Sequence, residues 1–146
     1  MNTIPPVIRD QRVVDAEQLR LLAVFHFAIA GLAVLGICFL LMHFTFMRAF
    51  MNSAAVKDSK GGPPPAEFFA IFKWFYLIGG VALLLAGLLN LLSGIFLRQQ
   101  KHRTFSIVVG ALNCIQFPIG TALGVFTFIV LFRYSVRELY ETRQPI

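Results

Sequence analysis

The stretch TFSIVVGALNCIQFPIGTALGVFTFIVLF, residues 104–132, decides the fold: its 29 residues hold no Asp, Glu, Lys or Arg, and Pro118 and Gly120 lie near its middle. As a single helix the stretch would be about 43 Å long, longer than a bilayer's hydrocarbon core is thick. Proline removes a helical hydrogen bond and glycine permits a turn. The stretch is therefore either one kinked helix or two short helices joined at Pro118 and Gly120.

Two further stretches lack charged residues. Residues 21–47 and 74–97 contain 27 and 24 residues, and about 20 apolar residues suffice to cross a bilayer as a helix. The whole chain is 58% hydrophobic, with 16 Phe among 146 residues, which is too apolar for a soluble domain of this size. The sequence thus predicts an all-α integral membrane protein.

The distribution of Lys and Arg separates the two interpretations of residues 104–132. Three lie before the first apolar stretch, four between the first and second, three in the turn after the second, and three after residue 132. With three membrane segments the two sides would carry 3 + 3 = 6 and 4 + 3 = 7, which indicates no orientation. With four segments they carry 3 + 3 + 3 = 9 and 4, the asymmetry of the positive-inside rule. We therefore predict a C-terminal helical hairpin broken at Pro118 and Gly120, its turn partly covered by protein, with both termini cytoplasmic.

The predicted organisation has one transmembrane bundle over residues 15–141. A flexible arm (residues 1–14) precedes it, a Gly/Pro loop (52–65) interrupts it, and a short tail (142–146) follows it. The predicted helices cover residues 15–50, 66–98, 103–116 and 119–133, followed by a short surface helix at 133–141 in which Arg137 and Glu141 pair at i, i+4.

Small residues mark candidate helix-packing surfaces. Gly80, Gly87 and Gly94 recur every seven residues and so share one helix face, and Gly120 and Gly124 form a Gly-x-x-x-Gly pair. Glycine lets helix backbones approach closely in lipid. These surfaces serve either packing within the monomer or binding to another membrane protein or a second copy.

Three amide side chains interrupt the apolar stretches: Asn90, Asn113 and Gln116. In a membrane such groups usually hydrogen-bond across helices, so we expect them to connect the second long helix to the hairpin. The alternative is that Asn113 and Gln116 line a small polar path.

Catalytic and cofactor signatures are missing from the sequence. It has no nucleophile–base set, phosphate loop or zinc-binding HExxH pattern. His26 and His43 are separated by about 25 Å along one helix and could not bind one haem iron together. The basic residues flank apolar stretches, as expected beside anionic lipid, rather than forming a nucleic-acid-binding domain. We expect no enzyme activity, no cofactor and no nucleic-acid partner.

The segments DAEQLRLLAVFH (residues 15–26) and FPIGTALGVFT (residues 117–127) resemble those of small, uncharacterised multi-pass membrane proteins of bacteria. The resemblance covers roughly residues 15–140 and implies about four helical segments in the bacterial inner membrane. It implies no catalytic residue.

Together these patterns predict a non-enzymatic accessory or scaffold subunit that packs through its glycine-lined faces. The alternative is an oligomeric channel- or transport-like protein with Asn113 and Gln116 facing a polar path. The expected partners are the lipid bilayer and either another membrane protein or a second copy of the chain.

Overall fold

The computed structural model describes residues 10–53 and 66–141, except for the side chains of residues 66, 68 and 69. In these two ranges the chain forms five helices and no strand, so the predicted all-α class is confirmed. The helices are α1 (Gln11–Met51), α2 (Ala66–Gln99), α3 (Arg103–Asn113), α4 (Ile119–Leu131) and α5 (Tyr134–Glu141).

The first helix begins earlier than predicted. Residues 11–14, assigned from the sequence to a flexible arm, form its first turn. Asp10 explains the earlier start, because its carboxylate Oδ1 accepts a hydrogen bond from the backbone N–H of Arg12 at 3.1 Å. This is the geometry of an N-terminal cap. The rest of the arm (residues 1–9), most of the Gly/Pro loop (54–65) and the tail (142–146) lie outside the described residues.

Among the described residues, two helices are long and apolar enough to cross a membrane, namely α1 and the part of α2 at Ala70–Gln99. Their most apolar windows have mean hydropathies of 2.5 and 2.2. Only 22% of each window is buried inside the protein. Long apolar helices with so little internal cover are accommodated by lipid, and the chain is a membrane protein.

The described chain divides into two compact units, a feature that the sequence analysis did not predict. The first unit contains the chain up to Ile29 and from Leu89 onward, and the second contains Ala30–Leu88. Both α1 and α2 contribute one part to each unit.

The first unit contains a cluster of buried apolar residues. Its buried residues come from the start of α1, the end of α2, and helices α4 and α5, and Phe27, Ile107 and Phe126 pack against their edge. The core consists of Leu19, Leu22, Ala23, Ile29, Leu97, Leu123, Val130, Leu131, Val136 and Tyr140. Both Val136 and Tyr140 belong to α5, so the short terminal helix is held by its apolar face.

Helices α3 and α4 form an antiparallel hairpin, which confirms the predicted doubling back of residues 104–132. At its base the guanidinium Nε of Arg103 donates a hydrogen bond to the backbone carbonyl of Leu131 at 2.8 Å. At its tip, Gly120 lies against the backbone carbonyl of Asn113. With 11 and 13 residues, the helices are about 16 and 20 Å long, shorter than the roughly 30 Å hydrocarbon core. Neither helix crosses a bilayer alone.

The second unit pairs the end of α1 with the beginning of α2, and the two segments run antiparallel. A Cβ atom added at Gly87 would lie 3.1 Å from the Cβ of Ala33. Further along the pair, Nδ1 of His43 and the hydroxyl of Tyr76 are 2.6 Å apart. Most other side chains in this unit are exposed and apolar, as expected of helices that face lipid.

Candidate functional site

A reciprocal amide pair joins α2 to the hairpin in the first unit. Asn90 donates to Oδ1 of Asn113 at 3.0 Å, and Asn113 donates to Oδ1 of Asn90 at 2.8 Å. Both residues are only 1% exposed. Each amide supplies one donor and one acceptor to the other, so the pair satisfies polar groups that would be costly to leave alone in an apolar environment. The predicted link between the second long helix and the hairpin exists at this pair.

Gln116 does not join this pair. Helix α3 ends at Asn113, three residues before the predicted end, so the expected shared helix face does not extend to residue 116. The Gln116 side chain is exposed while Asn113 is buried. The structure therefore separates the two residues that the sequence placed along one polar path.

The hairpin turn is exposed rather than partly covered by protein. Ile115 is 80% and Phe117 is 87% exposed. Local hydrogen bonds compensate: the backbone N–H of Gln116 donates to the Asn113 carbonyl at 2.9 Å, and the Thr121 hydroxyl donates to the Cys114 carbonyl at 2.9 Å. Non-helical backbone in lipid needs its polar groups satisfied, and here the turn itself provides much of that satisfaction.

Four of the five predicted packing glycines face neighbours within their own unit. A Cβ atom at Gly94 would lie 2.6 Å from the Phe27 ring, and one at Gly87 would press on α1. Gly120 and Gly124 both lie against α3: Gly120 contacts Asn113, and Gly124 approaches the backbone carbonyl of Gly110 too closely for any side chain. Glycine at these positions permits the close approach of two helices.

Gly80 differs from the other four. A Cβ atom placed on it would meet nothing within 4 Å, and the same holds for Gly31 on α1. Leu77 and Leu84, three residues before and four residues after Gly80, lie on the same helix face and are 52% and 51% exposed. Within the part of the chain that the structure describes, open space therefore lies beside the backbone of α2 at Gly80.

The base of the hairpin forms a polar cluster that sequence reasoning missed. Arg133 donates from Nη1 to Oδ1 of Asp15 at 3.0 Å and to Oε1 of Gln18 at 2.9 Å. Asp15 is completely buried. Asp15 and Arg133 are separated by 118 positions in the sequence, so no local pattern could reveal this pair.

Two further contacts complete the base. The Arg103 guanidinium lies 5.9 Å from the centre of the Phe132 ring, within cation–π range. In the surface helix, Arg137 bonds to Glu141 at 2.9 Å, which confirms the predicted i, i+4 pair.

Burial raises the pKa of the Tyr140 hydroxyl to about 12, and the positive charge of Arg103 partly opposes this shift. Tyr140 thus stays neutral within the core at physiological pH.

A groove lies between the end of α1 and the first turns of α2 in the second unit. Its volume is about 560 Å³. Aromatic and methionine side chains form most of its walls, with the hydrogen-bonded His43 and Tyr76 among them, and Arg48 and Lys73 also line it. No motif in the sequence predicted this groove.

His26 and His43 belong to different units of the structure. His26 lies in the first unit, where its ring Nδ1 is 3.0 Å from the Leu22 carbonyl, whereas His43 lies in the second unit. Over residues 10–53 and 66–141, no three His, Cys, Asp or Glu side chains form a group that could hold a metal ion.

No known protein family, no curated protein and no solved structure matches this chain.

Proposed function

We propose that this chain is a non-enzymatic accessory or scaffold subunit of the bacterial inner membrane, and that it associates with another membrane protein or a second copy through the open face of α2 around Gly80. One observation carries the proposal. Gly80 is the predicted packing glycine whose backbone meets no described neighbour, while the other four are occupied within their units.

Helices associate in lipid through other forces than in water. Apolar side chains gain little by leaving lipid for a protein surface, so association depends on close packing and hydrogen bonds. An open glycine on an apolar helix permits such close packing. The side chains of Leu77 and Leu84 lie on the same helix face as Gly80, are about half exposed and would form the walls of the contact.

The first unit supports a scaffold role in a different way. Its parts are tied together by the amide pair of Asn90 and Asn113, the ion pair of Asp15 and Arg133 and the close hairpin packing at Gly124. Because Asn113 already bonds to Asn90, the channel-like alternative has no support from the described contacts.

The proposed topology places both termini in the cytoplasm. Asp15, near the start of α1, contacts Arg133, which lies in the short link between α4 and α5, so these two positions share one end of the first unit. Arg103 lies at that end too, because it bonds to Leu131. The concentration of Arg at this end favours the cytoplasmic side by the positive-inside rule.

The test compares leucine substitutions at three positions of α2. Gly80→Leu should abolish association while leaving the monomer folded, because its side chain enters open space. Gly87→Leu should instead destabilise the monomer, because the new side chain meets Ala33. Ala82→Leu is the matched control, because residue 82 is also exposed but lies about 200° around the helix from Gly80.

The measurement is size-exclusion chromatography with light scattering in mild detergent after extraction from native membranes, with co-purifying proteins identified by mass spectrometry. The proposal predicts a complex for the wild type and for Ala82→Leu, and a monomer for Gly80→Leu. A wild type that is strictly monomeric and isolated without any partner would refute it.

A further inference from the structure

The groove between α1 and α2 lies where a membrane's polar surface should meet the protein. Arg48 directly follows the uncharged residues 21–47, and Lys73 directly precedes the uncharged residues 74–97. The two helices run antiparallel in this unit, and both cations line the same groove. Each cation therefore marks the boundary of an apolar helix, at the level where lipid headgroups lie.

The groove combines a charged rim with apolar walls. Both Arg48 and Lys73 are exposed, and no Asp or Glu occurs among the described residues that line the groove. The walls toward the apolar helix segments are formed by Phe44, Met47 and Tyr76. Arginine and lysine are the side chains that bind phosphate oxygens, and methionine and aromatic side chains adapt well to flexible alkyl chains.

The volume of the groove suits one ligand that has both an anionic head and an apolar chain. Its volume of about 560 Å³ falls within the roughly 300–1,000 Å³ of ligand pockets. An anionic head at the rim and a hydrocarbon chain along the walls would satisfy both parts of the surface. A zwitterionic lipid would bring a quaternary amine toward two cations, and like charges repel.

We propose that this groove is a binding site for an anionic glycerophospholipid, whose phosphate is held by Arg48 and Lys73 and one of whose acyl chains lies along Phe44, Met47 and Tyr76. This inference depends on membrane insertion but not on the proposed scaffold role. A chain that binds no partner protein could still bind this lipid.

The only tryptophan of the chain, Trp74, provides the probe. It is adjacent to Lys73 and 62% exposed, so a bromine-labelled acyl chain in the groove would quench its fluorescence. The protein is reconstituted into vesicles of unlabelled phosphatidylcholine containing increasing fractions of brominated phosphatidylglycerol, or of brominated phosphatidylcholine as the zwitterionic comparison. The ratio of the two quenching curves gives the preference for the anionic lipid.

The wild type should prefer the anionic lipid by at least about fivefold, the effect of one well-placed cation near a lipid surface. The double variant Arg48→Gln, Lys73→Gln should show a preference near one. The matched control, Arg98→Gln with Lys101→Gln, removes two exposed cations from the first unit and should keep the wild-type preference. Circular dichroism and size-exclusion chromatography verify that each variant is folded.

A second measurement needs no variant. Raising the salt concentration should lower the wild-type preference, because exposed charges are screened within about 10 Å at 0.1 M salt. Equal quenching by both lipids in the wild type would overturn the proposal, as would a preference that survives in the double variant or disappears in the control. Displacement of the brominated phosphatidylglycerol by oleate at equal concentration would overturn the phospholipid assignment in favour of a fatty acid.

Discussion

Replacing Asn113 by Leu tests the amide pair that holds the hairpin against α2. The two side chains have similar branching and size, so the substitution removes the hydrogen bonds with little change in packing. Asn113 exchanges two bonds with Asn90, at 2.8 and 3.0 Å, and both residues are 1% exposed. Asn113→Leu therefore removes both bonds of the pair and deprives the Asn90 amide of this partner.

The loss of stability caused by Asn113→Leu has two sources, the lost hydrogen bonds and the buried amide left behind. Interhelical hydrogen bonds in membrane proteins contribute about 0.6 kcal/mol each and at most about 1.7, so the two bonds together contribute roughly 1–3 kcal/mol. A buried polar group left without its partner costs about 1–3 kcal/mol. We expect Asn113→Leu to lower the free energy of unfolding by about 2 kcal/mol.

A double-mutant cycle isolates the pair from other effects. Replacing both amides by leucine removes the buried polar groups together, and such a change can be nearly neutral. Asn90→Leu with Asn113→Leu should thus cost less than the sum of the single changes, with a coupling of at least about 1 kcal/mol. Unfolding in mixed micelles is followed by far-ultraviolet circular dichroism as the mole fraction of sodium dodecyl sulfate rises. Additivity within about 0.5 kcal/mol would refute the reasoning.

Two other predictions concern the first unit. Gly124→Ala should destabilise the protein by about 1–3 kcal/mol, the usual cost of overpacking, because its Cβ would press on the Gly110 carbonyl and the Cys114 sulfur. Gly31→Ala is the comparison variant, because a Cβ at Gly31 would meet nothing within 4 Å. The same micellar titration should show no change in stability for Gly31→Ala. Arg133→Leu should cost about 3 kcal/mol because it leaves the fully buried Asp15 carboxylate without its cation, and equal melting temperatures of variant and wild type would contradict this.

Much of the fold could be predicted because membrane helices are encoded in long local patterns. The absence of charge over residues 21–47 and 74–97 predicts the two long helices, and Lys and Arg counting selected the hairpin from two alternatives. Helix ends were less predictable. The cap provided by Asp10 extends α1 backward to Gln11, and the hairpin turn shortens α3 to end at Asn113.

The contacts of the candidate sites could be predicted only in part. Asn90 and Asn113 were recognisable because amides are rare in apolar stretches, and amides in lipid seek partners. The Asp15–Arg133 pair joins residues far apart in sequence, so only the folded hairpin brings them together. Glycine spacing alone could not distinguish Gly94, which packs on Phe27, from Gly80, which is open, because the difference lies in the neighbouring helix.

The doubling back of residues 104–132 has a simple consequence for topology. Single cysteines are introduced at the exposed positions Arg12, Asn52 and Glu141 in a variant whose native Cys38 and Cys114 are replaced by alanine. Intact bacterial cells are then treated with a membrane-impermeant maleimide, before and after permeabilisation. We expect position 52 to react in intact cells, and positions 12 and 141 to react only after permeabilisation. Labelling of position 141 in intact cells, with position 12 still protected, would show that the final apolar stretch crosses the bilayer once and would contradict the account.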